Sequence, residues 1–356
     1  MPITKLFGTD GIRGQAGEFP LDAETVGKIG AAFAEVFAKR LGRGPRFVSG
    51  RDTRESGREI EFSFHQGAAS AGAVGESAGV ITTPGVAFLT KEFEFDAGIV
   101  ISASHNPFQD NGIKIFLPSG QKLDDEGEAA IERAVAGMPE SKLSGSRLDQ
   151  VRSGEFESAY LDHLANHFAD LDLSGMNIVA DCANGAVSEF APDLFLTKGA
   201  DVTVINATPD GRNINQDCGS LHLERLQESV LHERADFGVA FDGDADRALF
   251  VDETGQVVDG DATLWILGNY LKRRGGLASG KVVATVMSNI GLERAFQKIG
   301  IELVRTSVGD KCVLDELLAS GSEIGGEQSG HIILPEVSLV GDGMMTALFM
   351  PLIVWR

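Results

Sequence analysis

Ser104 stands in the stretch Ser102-Ala103-Ser104-His105-Asn106-Pro107, beside a histidine and an asparagine and ahead of a proline that stiffens the turn. Such a hydroxyl can serve as a nucleophile; the same stretch can also be an ordinary polar turn. No GxSxG elbow surrounds it, which argues against acyl hydrolysis. Lys114, just downstream in Asn111-Gly112-Ile113-Lys114, suits a phosphate better than an acyl group. A second stretch, Asp242-Gly243-Asp244-Ala245-Asp246-Arg247, spaces its carboxylates with the smallest residues. They would repel one another strongly unless a cation sat among them, and oxygen ligands select a hard ion such as Mg²⁺. Asp242, Asp244, Asp246 and Glu253 fit the first, third, fifth and twelfth places of a calcium loop, but Arg247 fills the sixth, where that loop needs glycine. A solvated acidic turn is the remaining alternative. Beside a metal, Arg247 reads as a partner for phosphate or carboxylate.

A third stretch is Gly325-Gly326-Glu327-Gln328-Ser329-Gly330-His331. Gly326 and its neighbours let backbone approach a ligand, Glu327 and Ser329 can hydrogen-bond sugar hydroxyls, and His331 can carry protons near neutral pH. A structural histidine after a glycine loop is the plainer reading. Near the N-terminus, Phe7-Gly8-Thr9-Asp10-Gly11-Ile12-Arg13-Gly14 places Arg13 in a glycine-flanked turn fit for phosphate. Gly50-Arg51-Asp52-Thr53-Arg54 and Thr306-Ser307-Val308-Gly309-Asp310-Lys311 are similar basic loops, or else surface decoration.

These loops need elements to hold them. Val26, Ile29, Phe33, Val36 and Phe37 recur at helical spacing behind Asp22, a candidate N-cap. Short apolar runs predict buried strands at Phe47-Val48, Ala97 to Ile101, Asn177 to Ala180, Phe237 to Phe241, Lys281 to Val286 and Glu323-Ile324. The alternation predicts consecutive α/β domains with mixed, largely parallel sheets. A polar linker is expected from Glu140 to Glu155, and a break near the turn Asp252-Glu253-Thr254-Gly255, giving domains at 1–150, 151–253 and 254–356. In open α/β sheets ligands sit beyond the carboxyl ends of strands, so the loops are expected to share a cleft.

Composition narrows the partners. The 356 residues exceed one core, and 44 glycines suggest many tight turns and close approaches to ligands. A formal charge of -21 is the wrong sign for tracking nucleic acid or anionic lipid. A phosphorylated small molecule stays possible, since local basic loops and a cation override the global field. Cys182, Cys218 and Cys312 show no CxxC spacing, so neither a disulfide framework nor a zinc site is expected. With no apolar signal region and no long apolar run, the expected compartment is the cytoplasm, with no membrane partner.

Taken together, FGTDGIRG at 7–14, GRDTRESG at 50–57, SASHNP and DNGIK within 102–114, DGDADR at 242–247 and GEQSGH at 326–331 resemble the α-D-phosphohexomutase superfamily across nearly the whole chain. DCANGA at 181–186, GRNINQDCGS at 211–220 and VMSNIG at 286–291 are most similar to its bacterial branch acting on glucosamine phosphate, ahead of the phosphomannomutase/phosphoglucomutase branch. The resemblance implies that Ser104 carries phosphate and that Asp242, Asp244 and Asp246 hold Mg²⁺ together with that phosphate. It implies roles for Arg13, Lys114 and Arg247 on the moving phosphoryl group, for His105, Gly326, Glu327 and Ser329 on the sugar, and for His331 or Lys114 on the proton. The implied reaction converts glucosamine 6-phosphate to glucosamine 1-phosphate through glucosamine 1,6-bisphosphate, with glucose 1,6-bisphosphate as activator, feeding cell-wall precursors. Cys312 replaces a tyrosine usual in the family. Family members continue into a fourth domain whose Arg-x-Ser-Gly-Thr loop grips the distal phosphate; no such sequence occurs before Trp355-Arg356. The expectation is weakened turnover, with a non-catalytic remnant that binds Mg²⁺ and phosphosugar as the alternative, and apolar surface exposed at the end of the segment Met344 to Val354.

Overall fold

A computed structural model of the chain describes residues 5–138 and 150–354. Residues 140–149 of the expected linker, and Trp355-Arg356, lie outside the described residues. The described remainder of that linker is structured: Gln150–Val151 is a strand and Ser153–His167 a helix. The chain divides into two compact units, one of residues 1–160 with 210–214, the other of residues 161–209 with 215–356.

In the first unit a seven-stranded sheet runs in the order Phe7–Gly8, Gly11–Gln15, Asp110–Phe116, Ala97–Ile101, Arg46–Arg51, Val74–Val80, Gln150–Val151. From Ala97–Ile101 to Gln150–Val151 the pairing is parallel, and the other neighbours are antiparallel. The parallel strand Ala97–Ile101 is buried on both faces, which is why it reads as an unbroken apolar run. Helix Ala23–Leu41 begins where expected: Asp22 accepts from the Thr25 N–H at 2.9 Å, and Gly42 ends it in the left-handed conformation. Its apolar face meets the sheet through Phe33, whose ring lies edge-on to Phe47 at 5.5 Å, and helix Gly57–Ser70 adds Phe64 at 5.7 Å from Phe47. Truncating any one of these buried rings to alanine would cost about 3–5 kcal/mol.

The second unit holds two sheets. One runs Val257–Val258, Ala248–Asp252, Phe237–Phe241, Asn177–Asp181, Asp201–Ile205, with the last three parallel. The other runs Glu302–Thr306, Lys281–Thr285, Gly325–Gly326, Ile332–Ile333, parallel except at its last pair. The turn at 252–255 joins two antiparallel strands, with Asp252 Oδ1 taking the N–H groups of Thr254 and Gln256 at 2.9 Å each. One expectation needs correction: Glu323-Ile324 is not a strand, and the strand follows at Gly325–Gly326. Helix Gly343–Val354 buries Met344, Met345, Ala347, Leu348 and Met350, and Phe349 packs edge-on against Phe168 at 4.8 Å, while Val354 at the helix end is exposed, as expected. Cys182 and Cys218 are buried free thiols. Among the described residues no helix is long and apolar enough to cross a membrane.

Candidate functional site

In the first unit, strand Ala97–Ile101 delivers the chain into the Ser104 loop, and Asp110–Phe116 returns antiparallel beside it, pairing Lys114 with Val100. The return is tight: a Cβ on Gly112 would lie 2.6 Å from Ser102 O and 2.7 Å from Ile12 O, so only glycine fits. Ser104 is buried and left-handed, with φ of 52°. For a serine that conformation costs about 1–2 kcal/mol and persists only where the surroundings enforce it. They do so here. The Ser104 N–H donates to Ser102 Oγ at 2.8 Å, and Ser102 Oγ donates to Asp52 Oδ2 at 2.6 Å. Arg54, buried beside Asp52, donates to the carbonyls of Ser104 and Asn106 at 2.9 Å each. Ser104 Oγ lies 3.3 Å from His105 Nδ1.

A cation cluster adjoins the loop. Arg13 is not in a turn but in strand Gly11–Gln15, opposite Gly112. Strand pairing there aims its Nη1 at Ala103 O, 2.8 Å away, while Nη2 bonds Asp10. Asp10 also takes Lys122, and Lys114 Nζ lies 3.4 Å from its Oδ2. Burial pushes the Asp10 carboxyl up, but Lys114, Lys122 and Arg13 outweigh it and hold it well below the usual carboxylate range. One carboxylate thus gathers three cations, a net positive charge next to Ser104 in a strongly acidic chain.

The second unit carries the opposite charge. The buried strand Phe237–Phe241 ends in Asp242, and Ala245 takes a left-handed φ of 53° that folds the loop back. Ala245 N–H donates to Asp242 O at 3.1 Å and Arg247 N–H to Asp242 Oδ1 at 3.3 Å. The side chains of Asp242, Asp244 and Asp246 are buried and converge, each offering an oxygen within 4.8 Å of the others. At that spacing each pair of charges repels by roughly 3 kcal/mol at an effective dielectric constant of about 20. An all-oxygen, three-carboxylate set of this kind fits a hard divalent cation. Arg247 Nε lies 3.7 Å from Asp246 Oδ1. Burial would lower the Arg247 pKa, but Asp246, Asp242, Glu327 and Asp244 together raise it.

The acidic loop accepts the Gly343 N–H at Ala245 O, 3.0 Å away. The glycine loop at 325–331 is tied by backbone to the strand that follows the acidic loop and to the next helix: Ala248 N–H bonds Gly330 O at 3.2 Å and Gly260 N–H bonds Gln328 O at 3.0 Å. A Cβ on Gly260 would meet Glu327 O at 2.1 Å, so the loop can rest on the N-terminus of helix Gly260–Arg274 only over glycine. Glu327 Oε1 accepts the Gly309 N–H at 3.2 Å, which draws in the 306–311 loop. His331 is buried with Nδ1 3.6 Å from Asp246 Oδ1, and its Nε2 accepts the Gly341 N–H at 3.1 Å. Burial pushes its pKa down, yet Asp246, Asp310 and Glu327 more than offset this; a second proton at Nε2 would still have to break the Gly341 bond. Ser329 is half-buried and Gly326 buried in its short strand.

Within the first unit, then, Ser104, His105, Arg13 and Lys114 lie along one loop and its flanking strands. Within the second, Asp242, Asp244, Asp246, Arg247, Gly326, Glu327 and His331 share another locality. Four residues were not singled out from sequence: Asp10, Asp52, Arg54 and Lys122. Asp10, Asp52 and Arg54 fall inside motifs whose glycine and charge spacing had marked them; Lys122 carries no local signal.

The chain matches known proteins throughout. Residues 4–141, 158–255 and 259–354 match the phosphoglucomutase/phosphomannomutase alpha/beta/alpha domains I, II and III respectively. It is 52% identical over 343 residues to the phosphoglucosamine mutase of Solibacter usitatus, covering 96% of this chain and 76% of that protein. It is 49% identical over 350 residues to that of Deinococcus deserti, covering 98% and 77%. Among solved structures, a phosphoglucomutase/phosphomannomutase family protein from Burkholderia thailandensis superposes with a TM-score of 0.83 at 26% identity, covering 98% of this chain and 76% of that one. Aspergillus fumigatus N-acetylphosphoglucosamine mutase, solved with GlcNAc-6P and magnesium, shares the fold at a TM-score of 0.62 and 19% identity, covering 98% and 77%.

Proposed function

The chain belongs to the phosphoglucomutase/phosphomannomutase family and is a phosphohexose mutase of the isomerase class, and we propose that it interconverts glucosamine 6-phosphate and glucosamine 1-phosphate through a phosphoserine at Ser104. The observation that carries this chemistry is Ser104 itself, locked in a left-handed turn beside the Asp10 cation cluster. The choice of amino sugar rests on relatives near 50% identity.

In the forward half-reaction the Ser104 Oγ–P bond breaks as a new P–O bond forms to the free sugar hydroxyl. Lys114 is the group we assign to the proton: it gives one to the departing Oγ and recovers one from the attacking hydroxyl. His331 is the weaker candidate, because both ring nitrogens face protein groups, Asp246 and the Gly341 N–H. We assign it instead to orienting Asp246. Arg13, anchored on Ala103 O, and Arg247 steady the phosphoryl oxygens by charge-assisted hydrogen bonds. Glu327, Ser329, Gly326 and His105 are assigned to the sugar. The bisphosphate then turns and returns its other phosphoryl group to Ser104. Asp242, Asp244 and Asp246 would hold Mg²⁺, whose charge would stabilise that developing on the transferring phosphoryl group. The division at 1–150, 151–253 and 254–356 stays our reading, supported by the three family segments.

The test is a coupled assay with glucosamine 6-phosphate, Mg²⁺ and catalytic glucose 1,6-bisphosphate, run beside mannose and glucose phosphates. Preference for the amino sugar is expected. Turnover of the neutral sugars with none of the amino sugar would move the chain to the phosphomannomutase/phosphoglucomutase reading.

A further inference from the structure

We infer that Arg54 and Ser102, joined through Asp52, are positioning residues that hold Ser104 in the conformation from which it takes up and gives back phosphate; the inference rests on Ser104 being the phosphorylated serine. The Arg54 and Asp52 side chains are 0% exposed. A guanidinium is tolerated out of water only when its N–H groups find acceptors. Here Nε donates to Asp52 Oδ2 at 2.8 Å, Nη2 to Ser104 O and Asn106 O at 2.9 Å each, and Nη1 to Asp110 O at 3.1 Å and to Pro107 O. That uses all five N–H groups, and four of the acceptors are carbonyls of residues 104–110.

Arg54 is therefore a planar template around which the loop turns. With every N–H committed, it has none left for a substrate phosphate, which separates its role from that of Arg13. Lysine cannot reproduce the fork, since its ammonium has three donors in a tetrahedral arrangement. On the other side of Ser104, Ser102 Oγ gives its proton to Asp52 Oδ2 at 2.6 Å and accepts the Ser104 N–H at 2.8 Å. Asp52 Oδ2 accepts from both Ser102 and Arg54, and Oδ1 takes the Arg54 backbone N–H at 3.0 Å, so one carboxylate locks the two arms together. The nucleophile is gripped at its own N–H and its own C=O, leaving rotation about Cα–Cβ as its main remaining freedom. Misplacing a nucleophile by even an ångström is expensive in rate.

The experiment is a time course of Ser104 phosphorylation in the full chain, by mass spectrometry, with Mg²⁺ and glucose 1,6-bisphosphate at several concentrations. Ser102→Ala, which removes one small hydroxyl, is expected to lower the maximal rate about tenfold, and Arg54→Lys about a hundredfold or more. The half-saturating concentration and the final stoichiometry should stay at wild-type values. A merely structural role would instead lower the fraction of protein that ever becomes phosphorylated, leaving the rate in the surviving molecules unchanged, and would overturn the inference. If Arg54→Lys does not fold, Ser102→Ala decides alone: a wild-type maximal rate in that variant overturns the inference. A wild-type chain phosphorylated elsewhere than Ser104 removes the premise, and the inference falls with it.

Discussion

The Ser104 loop of the first unit and the Asp242 loop of the second are built alike in backbone and oppositely in charge. Each follows a wholly buried strand, and each turns through a left-handed residue that is not glycine, Ser104 at φ 52° and Ala245 at φ 53°. The first is held by a buried cation, Arg54, bonded to loop carbonyls, and Asp10 gathers further cations beside it. The second is held by backbone bonds to neighbouring segments, while its side chains concentrate three carboxylates within 4.8 Å. The difference teaches that the same turn geometry presents either a serine hydroxyl in a positive surround or a carboxylate set suited to a cation. The first unit gathers positive charge from protein groups; the second gathers negative charge that a hard cation could balance.

The largest effect expected from this contrast is at Lys114. Lys114→Met should slow phosphorylation of Ser104 by about 10³-fold, roughly 4 kcal/mol of transition-state stabilisation, in single-turnover mass spectrometry. A loss under about tenfold would move the proton and charge roles elsewhere.

Acid should affect the first unit through His65, whose ring is pushed down to about 4 by burial from an ordinary 6.5. A histidine kept neutral in the fold contributes stability that is present above pH 6.5 and lost as pH falls from there toward 4. The full span is worth up to about 3 kcal/mol. His65→Gln should flatten chemical-denaturation stability between those pH values, and an unchanged slope would show that another group titrates.

The second unit should respond to Mg²⁺. At a hundred times its Kd the cation should stabilise by about 2.7 kcal/mol in thermal or denaturant unfolding, and Asp244→Asn should lose most of that. Equal Mg²⁺ stabilisation in both proteins would place the site elsewhere.

The smallest effect tests the strain argument away from both loops. Glu94 in the first unit and Arg234 in the second are exposed and left-handed, each with φ of 53°. Changing either to glycine should stabilise by up to about 1 kcal/mol in denaturant midpoints. Destabilisation at both would mean that left-handed backbone is not costly in this chain, and the need for the Arg54 frame would weaken.

What could be read from sequence follows what is local. Phe237–Phe241 and Ala97–Ile101 were legible because a strand buried on both faces is a continuous apolar run. Asp22 was legible because an N-cap needs only its next turn. Arg54 was not, because its burial depends on acceptors some fifty residues away in the 104–110 loop. Arg13 looked like a turn residue because glycines flank it; only pairing with Asp110–Phe116 makes it a strand. Gly325–Gly326 has no side chains to signal a strand. Helix Gly343–Val354 is apolar on all sides, a pattern that marks burial, and most of it is buried, with Val354 exposed at its end.

Intact-mass and peptide mass spectrometry of the chain after incubation with glucose 1,6-bisphosphate and Mg²⁺ tests the central claim most directly. The account predicts one phosphate, on Ser104 in the SASHNP peptide, abolished by Ser104→Ala and reached more slowly but to the same extent in Ser102→Ala. Phosphate on Ser102, or uptake that survives Ser104→Ala, would contradict it.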